Sequence, residues 1–247
     1  MRDFLVFQLW GPLCSWGGIA VGELRDSQGH PTKSAVLGLL AACLGWTREQ
    51  EAELAALAGG LGLAVWRERA GRPLRDFHTV SAPRQKKGAS WPTRREELAA
   101  LDELDNPIVS RRDYFCDAAY LVCLWESGAG GPGLAELARA LERPRFTPYL
   151  GRKACPAALP FCPRQVAAES IFSALENSGL PGPGWPGQAK PGPPQGGDLW
   201  WEPGGPPAGL PASAGGDRAS HVFTRRDQPI SRSRWQFAER LENHASL

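Results

Sequence analysis

The side chains best suited to chemistry fall into separated clusters, and most of them suit an unpaired polyanion. Trp16 precedes Thr32-Lys33-Ser34, which stand where a helix should begin. A helix start offers unpaired N–H groups and a positive dipole end, which suit a phosphate, and Lys33 adds a charge and Ser34 a hydroxyl. Ordinary capping beside a solvated lysine accounts for the same residues. Arg84, Lys86, Lys87, Arg94 and Arg95 surround Trp91, a mixture that can hold backbone phosphates and a stacked base. A solvated charge run is the plainer reading. The acidic limb that follows, Glu96, Glu97, Asp102, Glu103 and Asp105, would repel a polyanion, or pair with the basic limb or with a partner protein.

Arg143, Arg145, Phe146, Tyr149, Arg152 and Lys153 make a third cluster. Guanidinium planes and rings are the groups that read unpaired bases, although surface salt bridges around a buried aromatic pair would look the same. Arg225, Arg226, Arg232 and Arg234 beside Trp235 repeat the pattern more weakly. A catalytic alternative uses His78, Tyr114 and Lys86 or Lys87. Metal-independent RNA cleavage needs a base for the 2′-hydroxyl and a cation or acid at the leaving oxygen. Nothing in the spacing fixes those residues together, and a lone histidine in a strand is more often structural.

Composition narrows the choices. A formal charge of +2 over 247 residues places any nucleic-acid binding in local clusters, not in a diffuse field. Six cysteines without a CxxC pair and four scattered histidines predict buried free thiols and no metal site. No phosphate-binding P-loop, dinucleotide fingerprint or nucleophile elbow is present. No cofactor is expected. The chain has no apolar run long enough for a membrane span, and its N-terminus lacks the order of a signal peptide. A cytoplasmic protein is the expectation.

These groups need a scaffold. Residues 3–10 alternate, with Phe4, Val6, Gln8 and Trp10 on one face and Leu5, Phe7 and Leu9 on the other, which predicts a central strand covered on both sides. Thr32 or Ser34 caps a helix whose buried face is Val36, Leu37, Leu40, Cys43 and Leu44, ending at Gly45. A second helix covers 47–58. Strands follow at 61–67, 77–80 and 114–125. A helical stripe from Leu134 to Leu141 stops at Pro144. Residues 81–110 are polar and interrupted by prolines, and a connection of that length is functional or disordered. Residues 178–216 are so rich in Gly and Pro that a loose insertion is expected, with Trp200 and Trp201 in a short strand. His221 to Arg225 reads as another strand and the tail from Trp235 as polar. The order of elements is that of an α+β, ferredoxin-like βαββαβ unit.

Several segments together resemble one family. They are Leu9-Trp10-Gly11-Pro12-Leu13-Cys14-Ser15-Trp16-Gly17, the run from Pro31 to Ala42, Arg75-Asp76-Phe77-His78-Thr79-Val80, Tyr114-Phe115-Cys116-Asp117-Ala118, the run from Pro144 to Lys153, and Phe223-Thr224-Arg225-Arg226-Asp227-Gln228-Pro229. The pattern is similar to the CasD family of type I-E CRISPR Cascade subunits, within the RAMP superfamily. The resemblance implies a single domain: a ferredoxin-like (RRM-like) palm over 1–80 and 111–247, with additional C-terminal strands, and a protruding β-hairpin thumb over 81–110. It implies a non-catalytic subunit of a multisubunit complex for defence against foreign DNA. Such a subunit binds the 5′ handle of the CRISPR RNA, caps the backbone filament, and contacts the backbone subunit CasC and the large subunit CasA. On that reading Thr32, Lys33 and Ser34 hold handle phosphates, and Trp16 and Tyr149 stack on bases. Arg145, Arg152 and Lys153 pair with phosphates or base edges, and Arg84, Lys86 and Lys87 grip the backbone from the thumb. The alternative is a metal-independent endoribonuclease that processes precursor CRISPR RNA.

Overall fold

The structure, a computed structural model, describes residues 1–20, 22–84, 88, 90–102, 105–128, 130–180, 196–211, 221–231 and 233–247. The chain runs β1 (Arg2–Trp10), β2 (Leu13–Cys14), β3 (Leu24–Arg25), α1 (Lys33–Leu44), α2 (Glu51–Gly60), β4 (Leu61–Arg69), β5 (Arg72–Val80), α3 (Arg94–Ala99), β6 (Ile108–Cys116), β7 (Ala119–Glu126), α4 (Leu134–Glu142), β8 (Arg164–Ala168), α5 (Ile171–Asn177), β9 (Asp198–Trp201), β10 (His221–Ser231) and β11 (Gln236–Ser246).

The main sheet has seven strands in the order β10-β11-β9-β4-β7-β1-β8, and every pairing in it is antiparallel. The period-2 pattern of β1 divides as its sequence requires. Leu5, Phe7 and Leu9 enter the core shared with α1, α2 and α4, while Phe4 and Val6 enter the opposite core with α5. Apolar side chains at Val36, Leu37, Leu40 and Cys43 fix the face that α1 turns to the sheet. Thr32 caps its start by accepting from Ala35 N–H, 3.2 Å. Gly45 closes its end in the left-handed region, φ 81°, which only glycine enters without a Cβ penalty.

Several sequence expectations change. Residues 114–125 are two strands: the chain turns at Asp117, φ 57°, so Cys116 and Cys123 lie on different strands. The hairpin is longer than the polar 81–110 limb. β5 and β6 pair from Arg72↔Cys116 to Val80↔Ile108, so its stem begins before position 81, and α3 lies in its tip. The stem is hard to see in the sequence because β5 is largely exposed and carries no burial alternation. Within the Gly/Pro-rich stretch, Trp200 and Trp201 do lie in a strand. That strand is not loose: β9 fits between β11 and β4, and Leu199, Trp201, Ala208 and Leu210 are core residues. The large apolar side chains outweigh the glycines and prolines around them. Residues 181–195 and 212–216 lie outside the described residues. The polar tail is β11, paired with both β10 and β9. Its buried members are a charge, Glu242, and one small residue, Ala245, which hide it from hydrophobic patterning. No helix among the described residues is long and apolar enough to cross a membrane.

Candidate nucleic-acid interface

A trough runs along α1. One end, of about 1110 Å³, lies between the Gly17-Gly18 loop, Thr32 and Ser34 at the helix start, and Arg226, Trp235 and Phe237 of the β10–β11 hairpin. The other, of about 430 Å³, shares Ser34 and Trp235 and continues past Gly38 and Ala42 to Trp46, Phe146 and Tyr149. Ser34, Gly38 and Ala42 recur at i, i+4, so the floor is a row of small residues on one helix face. Large rings stand along the walls with much of their surface in solvent: Phe146 48%, Tyr149 43% and Trp235 57%. Arg48 lies over the Trp235 ring, 4.3 Å from its centroid. The wall carrying Phe146 and Tyr149 is held to α1 because Arg145 N–H donates to Cys43 C=O and Phe146 N–H to Ala42 C=O. Gly151, φ 88°, lets that segment approach the β2 loop, where an added Cβ would strike the Ser15 carbonyl.

Buried charge fastens the hairpin wall to the helix start. Lys33 N–H donates to Asp227, 2.7 Å, so a carboxylate from β10 already occupies the first turn of α1. The Lys33 ammonium pairs with Glu202, 2.9 Å. Arg240 bridges Asp227 (2.7 Å) and Glu242 (2.6 Å), and Glu242 also receives Arg225 (2.9 Å) and His30 Nε2 (2.9 Å). Burial alone would raise the Glu242 carboxyl. The hydrogen bond from His30, with the charges of Arg240 and Arg225, outweighs it and holds Glu242 at about 2. Burial pushes the His30 imidazole below its usual range against the pull of Glu242. It therefore sits neutral and donates, stacked on Trp200 with ring centroids 4.1 Å apart.

Comparison with known proteins decides the family. The family model described as CRISPR-associated protein (Cas5) matches residues 4–241. The CRISPR system Cascade subunit CasD of Escherichia coli (strain K12) is 32% identical over 97% of this chain and 94% of its own length. The chain belongs to the CRISPR-associated Cas5 family. Two solved structures resemble this Cas5 chain. One, titled CRISPR RNA-guided surveillance complex, has TM-score 0.65 and 25% identity and covers 98% of this chain and 89% of its own. The other, titled Crystal structure of Cas protein, has TM-score 0.60 and 28% identity and covers 99% and 94%.

The trough gathers only some of the residues this Cas5 chain offered from sequence. Tyr149, Ser34 and Thr32 line it. Arg145 stands exposed beyond its far end, and Lys153 is exposed. Three assignments change. Trp16 is a core residue, 1% exposed and edge-on to Tyr120, so it cannot stack on a base. Lys33 is buried on Glu202, so its charge serves the fold and not a phosphate. Arg152 is half-buried; it lies over the Tyr114 ring and donates to the Arg25 carbonyl, tying β3 down. Arg84 is engaged by Asp105, the pairing of basic with acidic limb that the sequence left open. Lys86 and Lys87 lie outside the described residues, as does Arg232.

Of the alternative catalytic set, His78 and Tyr114 stand apart, and Lys86 and Lys87 lie outside the described residues. Tyr114 pairs with Leu74, four positions along β5 from His78, which separates them by about 13 Å at strand spacing. Among the described residues no group of three or more His, Cys, Asp or Glu side chains could hold a metal ion. Sequence reading missed Arg48, Trp46 and the whole clasp of His30, Glu202, Asp227, Arg240 and Glu242. The available signal was the charge density of β11, where Glu239, Arg240 and Glu242 occur in a segment whose alternate positions are half-buried.

Proposed function

We propose that this Cas5 chain is a non-catalytic, cytoplasmic subunit of a Cascade-type CRISPR complex that grips the 5′ handle of the CRISPR RNA and caps one end of the backbone filament. The observation that carries this reading is the trough. Exposed rings from the 144–153 loop and from the β10–β11 hairpin, distant in sequence, converge over one small-residue helix face. Rings spaced along a groove hold unpaired bases by stacking and leave the phosphates outward. The connection order and the strand order β4-β7-β1-β8, with α1 and α4 on one face, support a ferredoxin-like palm. The β5–β6 hairpin supports a thumb. The relative in Escherichia coli is a Cascade subunit by name, which supports partners of the CasC and CasA kind.

The test is equilibrium binding of labelled handle RNA to the purified chain and to the assembled complex. Tyr149→Ala and Trp235→Ala should each weaken binding by about 1–3 kcal/mol with melting temperature unchanged, since both rings are exposed. Full affinity in the double variant would remove the trough from the account. The purified chain should leave precursor CRISPR RNA intact; cleavage lost in His78→Ala would establish the endoribonuclease instead.

A further inference from the structure

The trough does not stop at the end of α1. Trp46 also lines a second recess, about 310 Å³, whose charged walls are Glu136, Arg139, Arg143 and Arg145. Arg139 lies in the last turn of α4 and Arg143 is its C-cap residue, and both line the recess. Arg145 is set beside them by its backbone bond to Cys43. All three side chains are exposed, and among the described residues none has an ion pair or a side-chain hydrogen bond.

The two ends of the trough therefore differ in kind. At the start of α1 the buried and half-buried cations are spent on the protein: Lys33 on Glu202, Arg225 on Glu242, Arg240 on Asp227 and Glu242, and exposed Arg226 donates to the Phe237 carbonyl. Asp26 and Asp227 also line that end. A strand stacked in the trough would meet Arg226 against two carboxylates there, and a net charge of +2 supplies no general field. At the far end three guanidiniums face one carboxylate. Their planar forks match phosphate oxygens.

We propose that the Arg139–Arg143–Arg145 recess takes the backbone phosphates of the unpaired strand where it leaves the ring-lined trough past Trp46. This rests on the RNA-binding reading above and extends it, giving the site a stacking segment followed by a charge-neutralising exit. An acidic protein segment would satisfy the same charges. Continuity with the exposed rings through Trp46 favours nucleic acid.

The test compares two single-stranded RNAs on the full-length chain. α1 spans 12 residues, about 18 Å, so an RNA of about four nucleotides fills the trough, and one of about twelve also reaches the exit. Affinity is measured against salt concentration for wild type and for Arg139→Gln/Arg143→Gln/Arg145→Gln. The triple variant should show a salt slope shallower by about 2 on the long RNA, at about 0.7 per phosphate contact for single strands. On the short RNA its slope should equal that of wild type. The corresponding triple Arg→Lys variant keeps the charges and should restore the slope. An unchanged slope on the long RNA overturns the exit site, and so does an equal loss on both lengths. A polyglutamate peptide that competes as well as RNA of equal charge overturns the nucleic-acid assignment. Wild type that binds neither RNA overturns the RNA-binding reading itself.

Discussion

Glu242→Gln isolates the clasp that holds the β10–β11 wall to α1. The usual glutamate value is 4.5 and Glu242 is held at about 2. At about 1.4 kcal/mol for each tenfold change in proton affinity, the clasp favours the charged form by about 3 kcal/mol. Removing one partner of a buried ion pair costs about 3–5 kcal/mol, so two independent routes agree. The sign follows from proton binding. A carboxyl with a depressed folded-state value contributes its full stability above pH 4.5 and loses it as pH falls towards 2. The assay is urea unfolding of both proteins across pH 2–7. The variant should be less stable by about 3 kcal/mol at pH 7, and the two curves should converge between about pH 4.5 and 2. Wild type should also begin to weaken below about pH 6.5, because the unfolded chain then accepts a proton that buried His30 resists. A gap under about 1 kcal/mol at pH 7, or one that does not close in acid, would refute the clasp.

Lys33→Met should lower the urea midpoint while leaving RNA affinity per folded molecule unchanged, since Glu202 loses its buried partner and no phosphate contact is removed; an RNA-specific loss would return Lys33 to the binding site. Thr32→Ala should cost about 1 kcal/mol in the same unfolding assay through loss of the α1 cap. Alkylation at pH 8 should reach half-buried Cys116 and Cys162 well before Cys14 and Cys43, whose thiols burial pushes up to about 12; equal labelling rates in the folded chain would contradict the packing.

The core strands and α1 were legible because their apolar residues recur at periods of 2 and 3.6, and β1 announced both of its covered faces. The ring-bearing loop was legible too: Phe146 and Tyr149 stand among arginines where no core needs them. What could not be read was which cations face outward. Lys33 and Arg145 look alike as letters. One is buried on Glu202, 169 positions away, and the other is exposed. That difference depends on β9 and β11 joining the sheet. β11 itself was obscured because its buried positions are an anion, satisfied by His30, Arg225 and Arg240, and a small Ala245. Trp16 misled for the opposite reason. It lies in a glycine-bounded loop, yet the loop folds back and the ring fills the core.

Because residues 236–246 supply the strand behind the hairpin wall, the trough depends on the C-terminal part of the chain. A chain cut near residue 200 would contain β1, β4, β7 and β8, but it would lack Trp235, and Lys33 would lose both Glu202 and Asp227. Removing the β10–β11 hairpin would therefore take away one exposed ring and the Asp227 carboxylate at the start of α1 in a single cut.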